Sequence, residues 1–185
     1  MQQPPPADPA LAFPSAFRDA AARIALRLAP GEICPISSGY DVIVQGETVT
    51  IPRRVYYRTE RLDSAIAAPG SEGMIALCLG TRHHDGFVRE RCLLRLLGER
   101  QDWIVPFVVQ LVGEYVAEII ARIEAALPQL DAGAYGRFLL ENPRYLRTTE
   151  SRVHSYYYVH ADPRENAGTR IIAAFRRMRD AATKA

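Results

Sequence analysis

Two groups of side chains in this chain have the types and spacing for chemistry. His83-His84-Asp85 places two imidazoles and a carboxylate on consecutive residues, a set able to ligate a metal or shuttle protons. Gln110, Glu114 and Glu118 recur every four residues, and on one continuous helix that spacing aligns them in a single stripe. Of these, His83, His84, Glu114 and Glu118 are the candidate metal ligands, with His154 and His160 as further donors. With Asp85 they form the candidate catalytic set of a metal-dependent or acid/base hydrolase. Turn and stripe must then converge, because zinc ligands sit about 2.0–2.2 Å from the ion.

The same residues also have structural readings. Adjacent histidines on a turn point apart, and Asp85 is placed to accept from the backbone N–H groups near Phe87 and Val88, a helix cap that contributes about 1 kcal/mol. A solvent-facing histidine pair before a capped helix needs no further role. Glu118 precedes Arg122 by four residues, a favourable pair on a helix edge, and Arg53, Arg54, Arg82 or Arg89 could claim Glu114. The chain has no Glu-x-x-His motif of a dimetal bundle, no Gly-x-Ser-x-Gly elbow and no Gly-rich phosphate loop after a strand. Cys78 and Cys92 fall among apolar helical neighbours, where a thiol is buried and inert. No cofactor is expected.

The elements that position these groups follow from periodicity. Within Trp103–Ile120 the strongly polar side chains are Gln110, Glu114 and Glu118, so a long central helix is expected from Trp103 to Leu127, capped by Asp102 and stopped by Pro128. Residues 1–14 read as a loose Pro-rich arm. A helix over Ser15–Ala29 should end at Pro30-Gly31, followed by strands Tyr40–Val44 and Thr48–Tyr57 that turn at Gln45-Gly46-Glu47. Val49, Ile51, Val55 and Tyr57 share one face of the second strand. Further helices are expected over Ser71–Leu79, Phe87–Leu97 and Gly133–Glu141, from Asn142-Pro143 to about His160, and from Asp162-Pro163 onward. The last carries Ile171, Ile172, Phe175 and Met178 as its apolar stripe. The expected fold is mainly α: a single domain over residues 15–185, with five to seven helices around the central one and the hairpin at one side.

Composition bounds the function. With 185 residues, 48% of them hydrophobic, the chain can bury a substantial core. A net charge of +2 argues against nucleic-acid binding by bulk electrostatics, which leaves Arg170, Arg176, Arg177 and Arg179 as a local alternative. Tyr156-Tyr157-Tyr158 cannot form one flat stacking platform, because successive helical residues diverge by about 100°. Cys34, Cys78 and Cys92 include no CxxC pair and fit reduced thiols in the cytoplasm. The start of the chain does not resemble a secretory signal. Trp103–Ile120 contains two carboxylates, each costing about 2.5–3.5 kcal/mol in a bilayer, so no membrane span is expected.

Three segments carry a resemblance. Ile51-Pro52-Arg53-Arg54-Val55-Tyr56, then Thr81-Arg82-His83-His84-Asp85-Gly86-Phe87-Val88-Arg89, then Trp103 through Glu118 together resemble a group of uncharacterised bacterial proteins over roughly residues 40–125. That resemblance implies a bacterial origin and no activity. Val88 to Leu97 is also similar to one helix of HEAT-like repeats. With no complete catalytic motif and several amphipathic helices, the expected function is a non-catalytic cytoplasmic interaction or scaffold protein. Its partner would be another protein or, as a homodimer, a second copy of the chain.

Overall fold

The computed structural model describes residues 8–28, 38–114, 116–160 and 167–184, without the side chains of 156–160. The chain divides into two compact units, Met1–Leu96 and Leu97–Ala185. The fold is mainly α with one antiparallel hairpin, as the periodicity predicts. Among the described residues no helix is long and apolar enough to cross a membrane.

In the first unit, the Oδ1 of Asp8 accepts from Ala10 N at 2.9 Å and starts a 3-10 turn at Pro9–Ala12. Proline fits there because the first helical position has no N–H bond to lose. The turn packs on the hairpin and the first helix, and Ala12 and Phe13 are fully buried. Residues 8–14 are therefore not a loose arm. Burying a phenylalanine contributes about 1.5–3 kcal/mol, which offsets part of the entropy of ordering this short segment. Residues 1–7 lie outside the described residues.

A 3-10 turn at Ser15–Phe17 leads into α1 (Arg18–Leu28), which buries Ala21, Ile24 and Leu28. Its expected stop at Pro30-Gly31 falls outside the described residues, as does Cys34. The turn is held by the hairpin. Ser15 donates its N–H and its hydroxyl to the two carboxylate oxygens of Glu47, each at 2.9 Å. These bonds, with a smaller contribution from the Arg18 guanidinium, hold the Glu47 carboxyl below the usual range.

Strands β1 (Gly39–Val44) and β2 (Glu47–Pro52) pair with Val42 opposite Val49 and Tyr40 opposite Ile51. Gln45 and Gly46 both have positive φ, the left-handed geometry that lets a two-residue turn follow the strand twist. Val49, Ile51, Val55 and Tyr57 are all buried, the first two by alternation within β2 and the last two beyond its end. The second strand is shorter than expected. It ends at Pro52, and Val55 instead forms an isolated parallel bridge with His83.

An unanticipated helix, α2 (Thr59–Ile66), follows and buries Leu62, Ala65 and Ile66. Helices α3 (Ser71–Gly80) and α4 (Gly86–Leu96) then pack closely. Gly80 makes that approach possible, since a Cβ there would fall 2.4 Å from Cys92 Sγ.

In the second unit the expected central helix is interrupted. A 3-10 turn at Asp102–Ile104 leads into α5 (Val105–Val112), every residue of which is buried, and α6 (Ala117–Ala126) begins after a break. At the break Gly113 N bonds Gln110 O and Glu114 N bonds Leu111 O, and Val116 is extended. Glycine disfavours a helix interior by about 1 kcal/mol relative to alanine. Here it also admits Arg152, whose Cδ would lie 3.2 Å from a Cβ at position 113.

Asp102 does not cap this region. It sits inside the 3-10 turn and forms an ion pair with Arg137 at 3.0 Å. Helix α7 (Ala132–Glu141) is capped by Asp131, which accepts from Ala134 N at 3.0 Å. Helix α8 (Pro143–His160) starts at the expected proline, and the Asn142 amide donates back to Phe138 O at 2.8 Å. Helix α9 (Ala167–Ala182) buries Ile171, Ile172 and Phe175. The described residues thus hold nine α-helices where five to seven are expected. The excess comes from α2 and from the division of the central helix.

Candidate functional site

The turn between α3 and α4 is built by backbone pairing. Val55 N donates to Arg82 O at 2.9 Å and His84 N donates to Val55 O at 3.0 Å, which lays residues 82–84 alongside the chain leaving the hairpin. Asp85 caps α4 as expected, its Oδ1 accepting from Phe87 N at 2.8 Å. The pairing turns His83 inward, so the histidine pair is not solvent-facing: His83 is 1% exposed, whereas His84 is exposed.

Both ring nitrogens of His83 are engaged. Nδ1 accepts from Asp85 N at 3.1 Å, and Nε2 lies 2.9 Å from Tyr57 O. A backbone N–H can only donate and a carbonyl can only accept, so the ring is the neutral Nε2–H tautomer. Binding a metal or a proton requires breaking one of these bonds. His84 stacks on Tyr56, with ring centroids 5.1 Å apart and planes 20° from parallel, and lies 4.3 Å from the His83 ring.

Burial lowers the pKa of His83, and the charges of His84 and Arg89 act in the same direction, against the Tyr57 bond and Asp85. The protonated ring is therefore more costly in the folded than in the unfolded chain. This gives an expected pH dependence. The contribution of His83 to stability is fully present above its unfolded pKa of about 6.5 and is lost as pH falls toward the lower folded value. Nitrogen-15 NMR of the ring should show the Nε2–H tautomer titrating below 6.5, and His83→Gln should remove this part of the acid dependence of unfolding.

Two arginines hold the turn from inside. Arg82 is fully buried and donates from Nε to Pro52 O at 3.2 Å, from Nη1 to Thr81 O at 3.2 Å and from Nη2 to Arg53 O at 2.8 Å. Arg89 Nη1 donates to His83 O at 2.8 Å and to His84 O at 2.9 Å. A guanidinium suits this work because its planar fork presents several donors at fixed angles. Neither arginine stood out in the sequence as a clamp, since its acceptors are carbonyls that any residue could provide.

The polar stripe is dispersed by the break after α5. Gln110 is buried and its Oε1 accepts from Tyr145 OH at 2.7 Å, Glu114 sits in the break, and Glu118 is exposed in the first turn of α6. His83, His84 and Asp85 lie in the first unit, Glu114 and Glu118 in the second. Within each unit, among the described residues, no three His, Cys, Asp or Glu side chains are grouped to hold a metal ion. His154 is exposed on α8, and the His160 side chain lies outside the described residues. Cys78 and Cys92 are buried free thiols. Burial pushes Cys78 up and takes Cys92 up to about 12, so neither supplies thiolate at neutral pH.

Three of the four C-terminal arginines meet carboxylates. Arg170 pairs with Glu124, Arg176 with Glu150 at 2.8 Å and Arg179 with Asp180 at 2.6 Å. These pairs reduce the positive potential that phosphate binding on α9 would use. Tyr156-Tyr157-Tyr158 have side chains outside the described residues.

A surface feature the sequence reading did not single out lies on α4. Phe87 is 84% exposed and Leu94 49% exposed. Seven residues is close to two helical turns, so both lie on the same outer face. Their spacing is visible in the sequence, but it does not tell which apolar residues of the helix face outward. Comparison with protein-family models, with curated proteins and with solved structures found no match.

Proposed function

We propose that this chain is a non-catalytic, cytoplasmic protein-interaction protein that engages its partner through α4. The observation that carries this reading is the exposure of Phe87 and Leu94 on one face of a helix whose opposite side buries Val88, Cys92, Leu93 and Leu96. Exposed apolar anchors of this kind gain most when a partner covers them. The reading is supported by the structural use of the chemically able groups. His83 spends both nitrogens on backbone, and Gln110 is bonded to Tyr145. The cytoplasmic assignment rests on Cys78 and Cys92 as free thiols.

Affinity purification from cells expressing the tagged chain tests this reading. The wild-type chain should retain a stoichiometric protein that the Phe87→Ser/Leu94→Ser double variant loses while keeping its helical circular dichroism. Turnover of a small molecule by the purified chain, abolished by Glu114→Gln, would refute it.

A further inference from the structure

We propose that the cavity between α2 and α4 receives an apolar side chain of an acidic amphipathic helix, one of whose carboxylates pairs with Arg95. This rests on the interaction reading above and names the partner chemistry. The cavity has a volume of about 350 Å³ and an apolar floor made by Ile66, Leu77 and Cys92. Such a volume lies at the low end for small-molecule sites and suits one or two side chains.

Charge at the mouth selects the partner. Asp63, Arg91 and Arg95 line the rim, and Arg91 donates to Asp63 Oδ1 at 2.6 Å. The pair leaves one net positive charge at the rim, carried by Arg95, which stands in the last turn of α4. A single carboxylate complements it, and the guanidinium fork can take that group in bidentate fashion.

The rim is continuous with the exposed apolar face. Phe87, Arg91, Leu94 and Arg95 fall at i, i+4, i+7 and i+8, so they share one side of α4, with Arg91 and Arg95 on the edge nearer the cavity and Glu90 on the opposite edge. A facing helix with apolar residues three or four apart and an acidic residue one turn away meets both features. Nucleic acid fits this surface less well, because the floor is apolar and Arg91 is already paired.

A phage-displayed library of helical peptides selected against the full chain tests the proposal, with fluorescence polarisation of the selected peptides as the readout. Selected peptides should combine apolar residues at helical spacing with Asp or Glu. Arg95→Glu should weaken them by about tenfold or more, Arg95→Gln by less, and Arg177→Glu on α9 should have no effect. Reversing the peptide's acidic residue to Lys should restore binding to Arg95→Glu. Equal affinity for wild type and Arg95→Glu, an empty selection, or a concentration-dependent dimer dispersed by Arg95→Glu would each overturn the pocket assignment. The purification with Phe87→Ser/Leu94→Ser judges the interaction reading separately.

Discussion

Arg82→Met should lower the stability of the protein by about 2–4 kcal/mol, the balance of lost acceptor bonds against relief of a buried charge. The guanidinium serves the carbonyls of Pro52, Arg53 and Thr81 from a fully buried position. Each carbonyl left unsatisfied in the interior costs about 1–3 kcal/mol. Removing the cation gives back part of its desolvation penalty, itself several kcal/mol. Methionine keeps most of the apolar stem, so cavity formation adds little. The buried carbonyls of Pro52 and Thr81 decide the sign, whereas Arg53 O keeps its bond from Arg54 Nη1 at 2.9 Å.

Arg82→Lys should recover only a minor part of the loss, since one ammonium cannot span acceptors placed around a planar fork. Urea unfolding would show both variants with lowered midpoints and an unchanged slope. The His83 ring offers a second readout. Arg82 O accepts from Val55 N within the pairing that turns His83 inward, so loosening the clamp should move the ring's pKa back toward its ordinary value. Full stability in Arg82→Lys would show that charge alone, without the fork, holds the turn.

What could be read from the sequence was what local periodicity determines. Val49 and Ile51 alternate within β2 and are buried; Asp85 precedes a helix start and caps it. Non-local partners decided the rest. His83 is buried because Tyr57 O, 26 residues away in sequence, accepts from its ring, and nothing around position 83 encodes that contact. Phe13 lies in a Pro-rich stretch that reads as extended, yet a 3-10 turn against the hairpin buries it.

The polar stripe failed for a different reason. Gly113 interrupts the helix, but Gln110, Glu114 and Glu118 keep a four-residue spacing in the sequence across it, so periodicity alone could not reveal the break. Helix α2 carried a readable signal in Leu62, Ala65 and Ile66, but it is short and no side chain caps its start. The exposure of Phe87 was the least legible feature. Whether an apolar residue at a helix N-terminus faces the core depends on the rotation of the whole helix, and here Val88, Cys92 and Leu96 set that rotation.

Gly136→Ala should destabilise the second unit by about 3 kcal/mol, at the upper end of typical overpacking costs. A Cβ at position 136 would lie 2.4 Å from Met178 O and 3.0 Å from Ala182 Cβ, so α7 and α9 meet there without room for a methyl group. The first of these atoms is helix backbone, four residues before the end of α9, and cannot rotate away. Relief requires the two helices to separate, which loosens the packing of Ile171, Ile172 and Phe175. Alanine's better helix propensity offsets only about 1 kcal/mol of that loss.

Gly133→Ala, in the same helix, isolates the packing effect. Its Cβ would approach Arg137 Nη1 at 3.2 Å, the end of a flexible side chain, and Asp131 Oδ1 at 3.3 Å, the capping oxygen, a contact that needs a shift of only a few tenths of an ångström. Propensity should then nearly balance contact, for a net change within about 0.5 kcal/mol. Thermal unfolding of the two variants should separate them clearly, because 1 kcal/mol corresponds to about 2–4 °C in a chain near this size. Equal melting temperatures would mean that α7 and α9 do not rely on the close approach at Gly136.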